Sequence, residues 1–202
     1  MIRTALASVS LAALSACTTV PADTPAQISL AQAEKRAIDG VMTDGSIPTD
    51  VRRVSIVVRD MDRSLAFYRD VVGLEVNYDA EVTLSGVALP VGEPNTRARL
   101  VLLNSNDPYV GWIGLLHLLD PPLADEPYPT RLSPGSTVIV LNTDDVPGRC
   151  AAAAKLPRVT MTSEPHLQIY PGRNGGPDIR VMGCNLLDPD GIAIEMNQLL
   201  DD

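Results

Sequence analysis

Aromatic residues are scarce in this chain, with one Trp, one Phe and five Tyr among 202 residues. Its core must therefore be built mostly from Val, Leu, Ile and Ala, and a hydrophobic fraction of 45% is ordinary for a globular protein. Positive charge is also short: 16 Lys and Arg stand against 25 Asp and Glu, a formal net charge of -9, with no basic run. A nucleic-acid binder needs a basic face, so that class is set aside, and the acidity serves solubility. No apolar run is long enough for a permanent membrane span. No Ser-His-Asp or Cys-His arrangement has motif support, and Cys184 falls in a strand-like segment, not in a nucleophile elbow.

The chain opens with a targeting pattern. Arg3 supplies a short positive region, Ala5 to Leu14 is apolar, and Leu14-Ser15-Ala16-Cys17 follows. That tetrapeptide looks like a lipobox, in which the cysteine is acylated and becomes the new N-terminus after cleavage. The expectation is a cell-envelope lipoprotein held to the membrane through lipidated Cys17, facing the periplasm or exterior. Residues 1–17 are then the signal peptide and 18–50 a tether. Within the tether, Ser29 to Gln32 fits a capping box, and Leu30, Ala33, Ala37 and Val41 follow helical spacing. Lipidation leaves Cys150 and Cys184 in an oxidising compartment, as a disulfide or as two buried thiols.

From Val51 the pattern changes. Val51 to Val58 is rich in β-branched residues and reads as a strand. Asp60 is suited to cap a helix carrying Met61, Leu65, Tyr68, Val71 and Val72 at helical intervals, with Gly73 at its end. Strands are expected at 74–82, 97–103 and 112–119. After a Pro-rich linker at 120–134 the order returns. A strand at 137–142 precedes an Asp145-capped Ala-rich helix that stops near Pro157. Strands follow at 166–170, 179–187 and 192–197, while 158–162 is a strand or a loop. Asp188-Pro189-Asp190-Gly191 marks the last turn. Aligning Asp60 with Asp145 gives an internal duplication, with modules at 51–119 and 136–200 inside a domain at 51–202.

Two segments carry a specific resemblance. The opening strand, the Asp-capped helix and the run from Phe67-Tyr68 to Gly73-Leu74 resemble the first module of the vicinal oxygen chelate superfamily, which includes glyoxalases, bleomycin resistance proteins and dioxygenases. The segment Leu186 to Gln198 resembles its closing hairpin. The resemblance covers residues 51–200 and implies an α+β fold of two βαβββ modules curving into a cup. It also implies metal ligands, usually His and Glu, at four positions that fall here on Arg53, near Gly114, on Val138 and on Glu195. Only Glu195 offers a donor. Arg53 is a fixed cation with no lone pair, and a guanidinium about 5 Å from a divalent ion at an effective dielectric near 20 costs roughly 6–7 kcal/mol. The expectation is a cup without the family's metal that binds a small molecule, with no cofactor. The alternative is a lyase, isomerase or dioxygenase-type enzyme with a displaced metal site.

Strand alternation puts Glu195 with Ala193 and Asn197 on one face and Ile194 with Met196 on the other. Glu195 is thus the candidate catalytic base or ligand anchor, and a hydrogen-bonded pair with Arg53, direct or through one ligand group, is expected. Tyr109 and Trp112 either line the cup mouth or pack a turn. His117 has the opposite parity to Gly114 and should face away from the cup, while His166, after Pro165, reads as a rim residue. His117, His166 and Glu195 form the only alternative metal set, which parity disfavours. The glycine-rich stretch from Pro171 to Pro177 reads as a hairpin loop or an anion cradle. Since the family pairs modules between chains, the resemblance admits a homodimer.

Overall fold

Each module starts its helix where a carboxylate can satisfy a free amide. Asp60 accepts from the Arg63 backbone N–H at 3.0 Å, and Asp145 accepts from Gly148 at 2.9 Å. The computed structural model describes residues 51–200 except 88 and 123–126. The leader, Cys17 and the helix expected in the tether lie outside the described residues.

The first module runs β1 (Arg53–Val57), α1 (Met61–Leu65) continuing into a π-helical segment (Ala66–Val71), β2 (Glu75–Thr83), β3 (Arg97–Asn104) and β4 (Trp112–Asp120). The second runs β5 (Val138–Asn142), α2 (Val146–Ala153), β6 (Thr160–Tyr170), a 3-10 turn (Arg173–Gly175), β7 (Ile179–Leu187) and β8 (Ala193–Leu199). The fold is α+β, as expected. The strands form two four-stranded mixed sheets, ordered β1-β4-β3-β2 and β5-β8-β7-β6, with β1 and β5 parallel to their neighbours.

One face of each sheet packs on the helices. Ile56, Val101, Leu103, Ile113 and Leu115 from one sheet, and Ile139, Leu186, Ile194 and Met196 from the other, join the helix residues Met61, Leu65, Phe67, Tyr68 and Val146 in one core. A single apolar core thus spans both modules, and each sheet keeps an opposite, open face. On the first sheet Ala98, Leu116 and Leu118 of that face are buried beneath Leu84 and Val91 from the β2–β3 connection.

Polar clasps complete the junction. The Tyr68 hydroxyl donates to Asp188 Oδ2 at 2.8 Å, and Asp188 Oδ1 accepts from the amides of Asp190 and Ile192. Asp190 accepts from Ser64 and Arg59. From the other side, Arg149 of α2 donates to the carbonyls of Val71 and Val72 at 2.7 Å each, meeting the unsatisfied end of the first helix. Gly73 there has φ +85°, and a Cβ would lie 2.8 Å from Arg149 Nη1, so its backbone conformation and the guanidinium both call for glycine. Cys150 and Cys184 are joined as a disulfide tying α2 to β7.

One difference from expectation concerns β6. The segments at 158–162 and 166–170 merge into a single strand running through Pro165. Proline is tolerated because β6 is an edge strand, and register shifts on either side of Ser163 absorb the mismatch with β7.

Candidate functional site

The open face of the first sheet is defined by Arg53, which sits opposite Trp112 at the start of β1. Its stem lies across Gly114: a Cβ at that position would be 3.1 Å from Arg53 Cδ and 2.9 Å from Ser55 Oγ. Arg53 Nε donates to Ser55 Oγ at 3.1 Å. The arginine thus occupies part of the volume that a side chain at 114 would need. Val57 and Tyr78 are exposed on the same face, and both expose apolar surface.

The open face of the second sheet carries Glu195, and Ile194 and Met196 point into the core as alternation requires. Glu195 Oε1 accepts from Asn197 Nδ2 at 2.7 Å and from the Tyr170 hydroxyl at 3.5 Å. That hydroxyl also donates to Gln168 Oε1, and Gln168 Nε2 meets His166 Nε2 at 3.2 Å. His166 Nδ1 contacts the Glu164 carbonyl at 2.8 Å. A polar ladder thus crosses the sheet from edge to centre through His166, Gln168, Tyr170, Glu195 and Asn197. Asp-free as it is, the ladder holds one carboxylate, and its charge together with slight desolvation raises the Tyr170 phenol above its usual value, desolvation contributing most.

Several expectations change here. Arg53 and Glu195 form no direct hydrogen bond: each is engaged within its own sheet, Arg53 by Ser55 and Glu195 by Asn197 and Tyr170. His166, expected near a strand start, lies within the exposed edge strand β6, which continues through Pro165 and sets it opposite Gly183. His117 shares the face of Leu115, beside Arg99, so His117, His166 and Glu195 are not brought together. Among the described residues no group of three or more His, Cys, Asp or Glu is placed to hold a metal ion. Of the four residues at which the resemblance implies ligands, Arg53, Gly114, Val138 and Glu195, only Glu195 carries a side chain that can coordinate a metal. The residues present do not fit the family's metal.

Trp112 is buried and its indole N–H donates to the Asp107 carbonyl at 3.1 Å, while Tyr109 stacks under Arg52 with 4.5 Å from the guanidinium carbon to the ring centre. These contacts give both aromatics to the β3–β4 turn. The stretch from Pro171 to Pro177 connects β6 to β7 as a hairpin loop. Gln168, Tyr170 and Asn197 were not among the candidates; the available signal was the alternation of His166, Gln168 and Tyr170 with Leu167 and Ile169.

A cavity of about 910 Å³ opens at the junction of the modules, lined by Gly73, Glu75, Asn104, Ile113, Val140 and Arg149 among others. Arg53 and Glu195 do not line it, and its one guanidinium, that of Arg149, is already bound to backbone carbonyls and to Thr143. The cavity adjoins the ladder through Val140, which pairs with Glu195 in the register.

A family model described as the Glyoxalase/Bleomycin resistance protein/Dioxygenase superfamily matches residues 51–196. A glyoxalase family protein from Bacillus cereus superposes with a TM-score of 0.61 at 19% identity, covering 79% of this chain and 99% of that one. Glyoxalase I of Leishmania major, described as trypanothione-dependent, is 19% identical over 75% of this chain and 87% of its own, with a TM-score of 0.45. No curated protein matches. At such identities the structural likeness speaks to the fold alone.

Proposed function

The chain belongs to the Glyoxalase/Bleomycin resistance protein/Dioxygenase superfamily, and from that premise we propose that it is a cell-envelope lipoprotein, anchored through Cys17, whose cup holds a small, partly apolar molecule without the family's usual metal. The observation that carries this reading is Arg53 lying over Gly114, which fills the inherited ligand position with a fixed positive charge. The exposed apolar side chains Val138 and Val140 beside a polar ladder support an amphipathic ligand, and a cavity of about 910 Å³ next to Val140 is in the range of small-molecule sites. The acidic balance gives no support to a nucleic-acid partner.

The test is elemental analysis of the purified full-length protein together with native mass spectrometry of whatever organic molecule co-purifies. The expected result is substoichiometric Zn, Ni, Mn and Fe with an organic adduct. Near-equimolar metal that survives dialysis and is lost in Glu195→Ala would overturn the reading.

A second reading, metal-free lyase or isomerase chemistry with Glu195 as the base, is favoured by one feature: its Oε2 accepts no hydrogen bond among the described residues. Turnover that is insensitive to chelator and abolished in Glu195→Gln would select it over simple binding.

A further inference from the structure

We infer that the ladder on the second sheet is a subsite for a protonated amine on a short hydrocarbon, held between Glu195 and Asn197. This deepens the proposed cup-binding function and rests on it.

The argument starts from an acceptor without a donor. Asn197 is 8% exposed, and its Oδ1 is buried with no partner. Its orientation is fixed by chemistry, because Nδ2 donates to Glu195 Oε1 at 2.7 Å, and turning the amide over would set an oxygen against the carboxylate. Buried acceptors in native proteins are nearly always satisfied, so an unpaired one beside an open face points to a donor that arrives from outside the chain. Glu195 Oε2 also accepts nothing, and Glu195 makes no ion pair among the described residues.

Gly183 gives Asn197 Oδ1 the room it occupies. It lies opposite Asn197 on one side and His166 on the other, and a Cβ there would be 3.0 Å from both Asn197 Oδ1 and Gln168 Nε2. Any side chain at 183 would crowd Asn197 Oδ1 and Gln168 and disturb the ladder. The rest of the ladder is internally committed: Gln168 accepts from Tyr170 and meets His166. What is left without a donor is a carboxylate oxygen and, beside it, a buried amide oxygen, both acceptors. An anion would be repelled, whereas an ammonium, with three donors and one positive charge, satisfies both.

Adjacent surface sets the body of the ligand. Val138 and Val140 pair with Ala193 and Glu195 in the register and are 46% and 56% exposed. An alkyl chain bound by its ammonium at Glu195 can lie along these two valines and cover apolar area otherwise left in water.

The experiment uses the full-length protein in detergent and three probes of equal chain length: n-hexylammonium, n-hexanol and n-hexanoate, at fixed ionic strength. Calorimetric titration should give saturable binding of hexylammonium, weaker binding of hexanol and none of hexanoate. Glu195→Gln, checked for folding by circular dichroism, should weaken hexylammonium binding by about tenfold to a hundredfold and remove its preference over hexanol. If that variant does not fold, the side-chain amide signal of Asn197 in the wild-type protein serves instead, and it should shift saturably with the amine alone. Equal affinity for amine and alcohol, or a folded Glu195→Gln that binds the amine as well as wild type, overturns the inference while leaving the cup-binding function standing. No binding of the amine, as expected if water alone fills the site, overturns the inference too. Co-purified ligand found by mass spectrometry decides the broader function separately.

Discussion

Replacing Tyr68 by Phe removes a single oxygen and keeps the ring, whose edge-on contact with Phe67 at 4.9 Å does not depend on the hydroxyl. Tyr68 is 0% exposed and Asp188 1%. With the hydroxyl gone, Asp188 Oδ1 keeps the amides of Asp190 and Ile192, but Oδ2 loses the Tyr68 hydroxyl, its one hydrogen-bond partner among the described residues. A hydrogen bond to a charged group, with the acceptor left buried and unpaired, corresponds to about 2–3 kcal/mol. For a domain of this size that lowers Tm by roughly 4–12 °C. The pH dependence gives a second reading of the same contact. Burial, with Asp188 adding to it, holds the Tyr68 phenol well above its ordinary value. Below about pH 10 the phenol is neutral in both folded and unfolded chains, and its contribution is fully present. Above that pH the unfolded chain loses the proton and the folded one keeps it, so stability falls by up to about 1.4 kcal/mol per pH unit. Tyr68→Phe should lack that alkaline loss. At the acid end, desolvation raises the Asp188 carboxyl while the Tyr68 bond and two amides lower it. A raised carboxyl contributes stability below its unfolded value that is lost as pH rises through its folded value. Removing the hydroxyl raises it further, so the variant should recover part of its deficit on acidification. Urea denaturation across pH measures all of this. A loss below about 0.5 kcal/mol at neutral pH, the size of an ordinary surface substitution, together with an unchanged alkaline limb, would refute the reasoning.

Gly114→Ala should destabilise by roughly 1–3 kcal/mol because its methyl meets Ser55 Oγ and Arg53 Cδ, and Arg53→Ala in the same chain should recover part of that while the Ser55 contact persists, as a double-mutant cycle in thermal denaturation would reveal. Reducing the Cys150–Cys184 bridge, which closes a separation of 34 residues, should cost about 3–4 kcal/mol, and loss of Tm on adding reductant measures it. Cys17→Ser should move the protein from the membrane to the soluble envelope fraction; unchanged fractionation and unchanged mass would remove the lipid anchor from the proposal.

Much of the architecture was legible because its signals are local. Asp60 and Asp145 as caps, Gly73 as the helix end and the turn at Asp188-Pro189-Asp190-Gly191 each act through neighbouring residues, and strand parity was enough to set Glu195 and His117 on their faces. The site was less legible because its contacts cross strands. Alternation told which face Arg53 shares but not that its stem lies across Gly114 of the neighbouring strand, nor that Glu195 is engaged within the other sheet. Pro165 looked like a strand boundary, since whether a proline is tolerated depends on whether the strand lies at a sheet edge, and that is a property of the assembled sheet. The unpaired oxygen of Asn197 has no trace in sequence at all, because it follows from the orientation that Glu195 imposes on the amide.

The junction between the modules has a consequence for how the molecule can be put together. Its hydrogen bonds, Tyr68 on Asp188, Arg59 and Ser64 on Asp190, and Arg149 on the carbonyls of Val71 and Val72, join residues 77 to 131 positions apart in sequence, and the Pro-rich connection between β4 and β5 adds the Tyr128 ring, on which Arg59 and Arg158 both stack. Peptide continuity across that connection raises the effective concentration of one half for the other, but the hydrogen-bonded clasps do not depend on it. The two halves, expressed as separate polypeptides ending and beginning within it, carry complementary surfaces and should find each other and reconstitute the fold. The same complementarity also lets the first half of one molecule meet the second half of another.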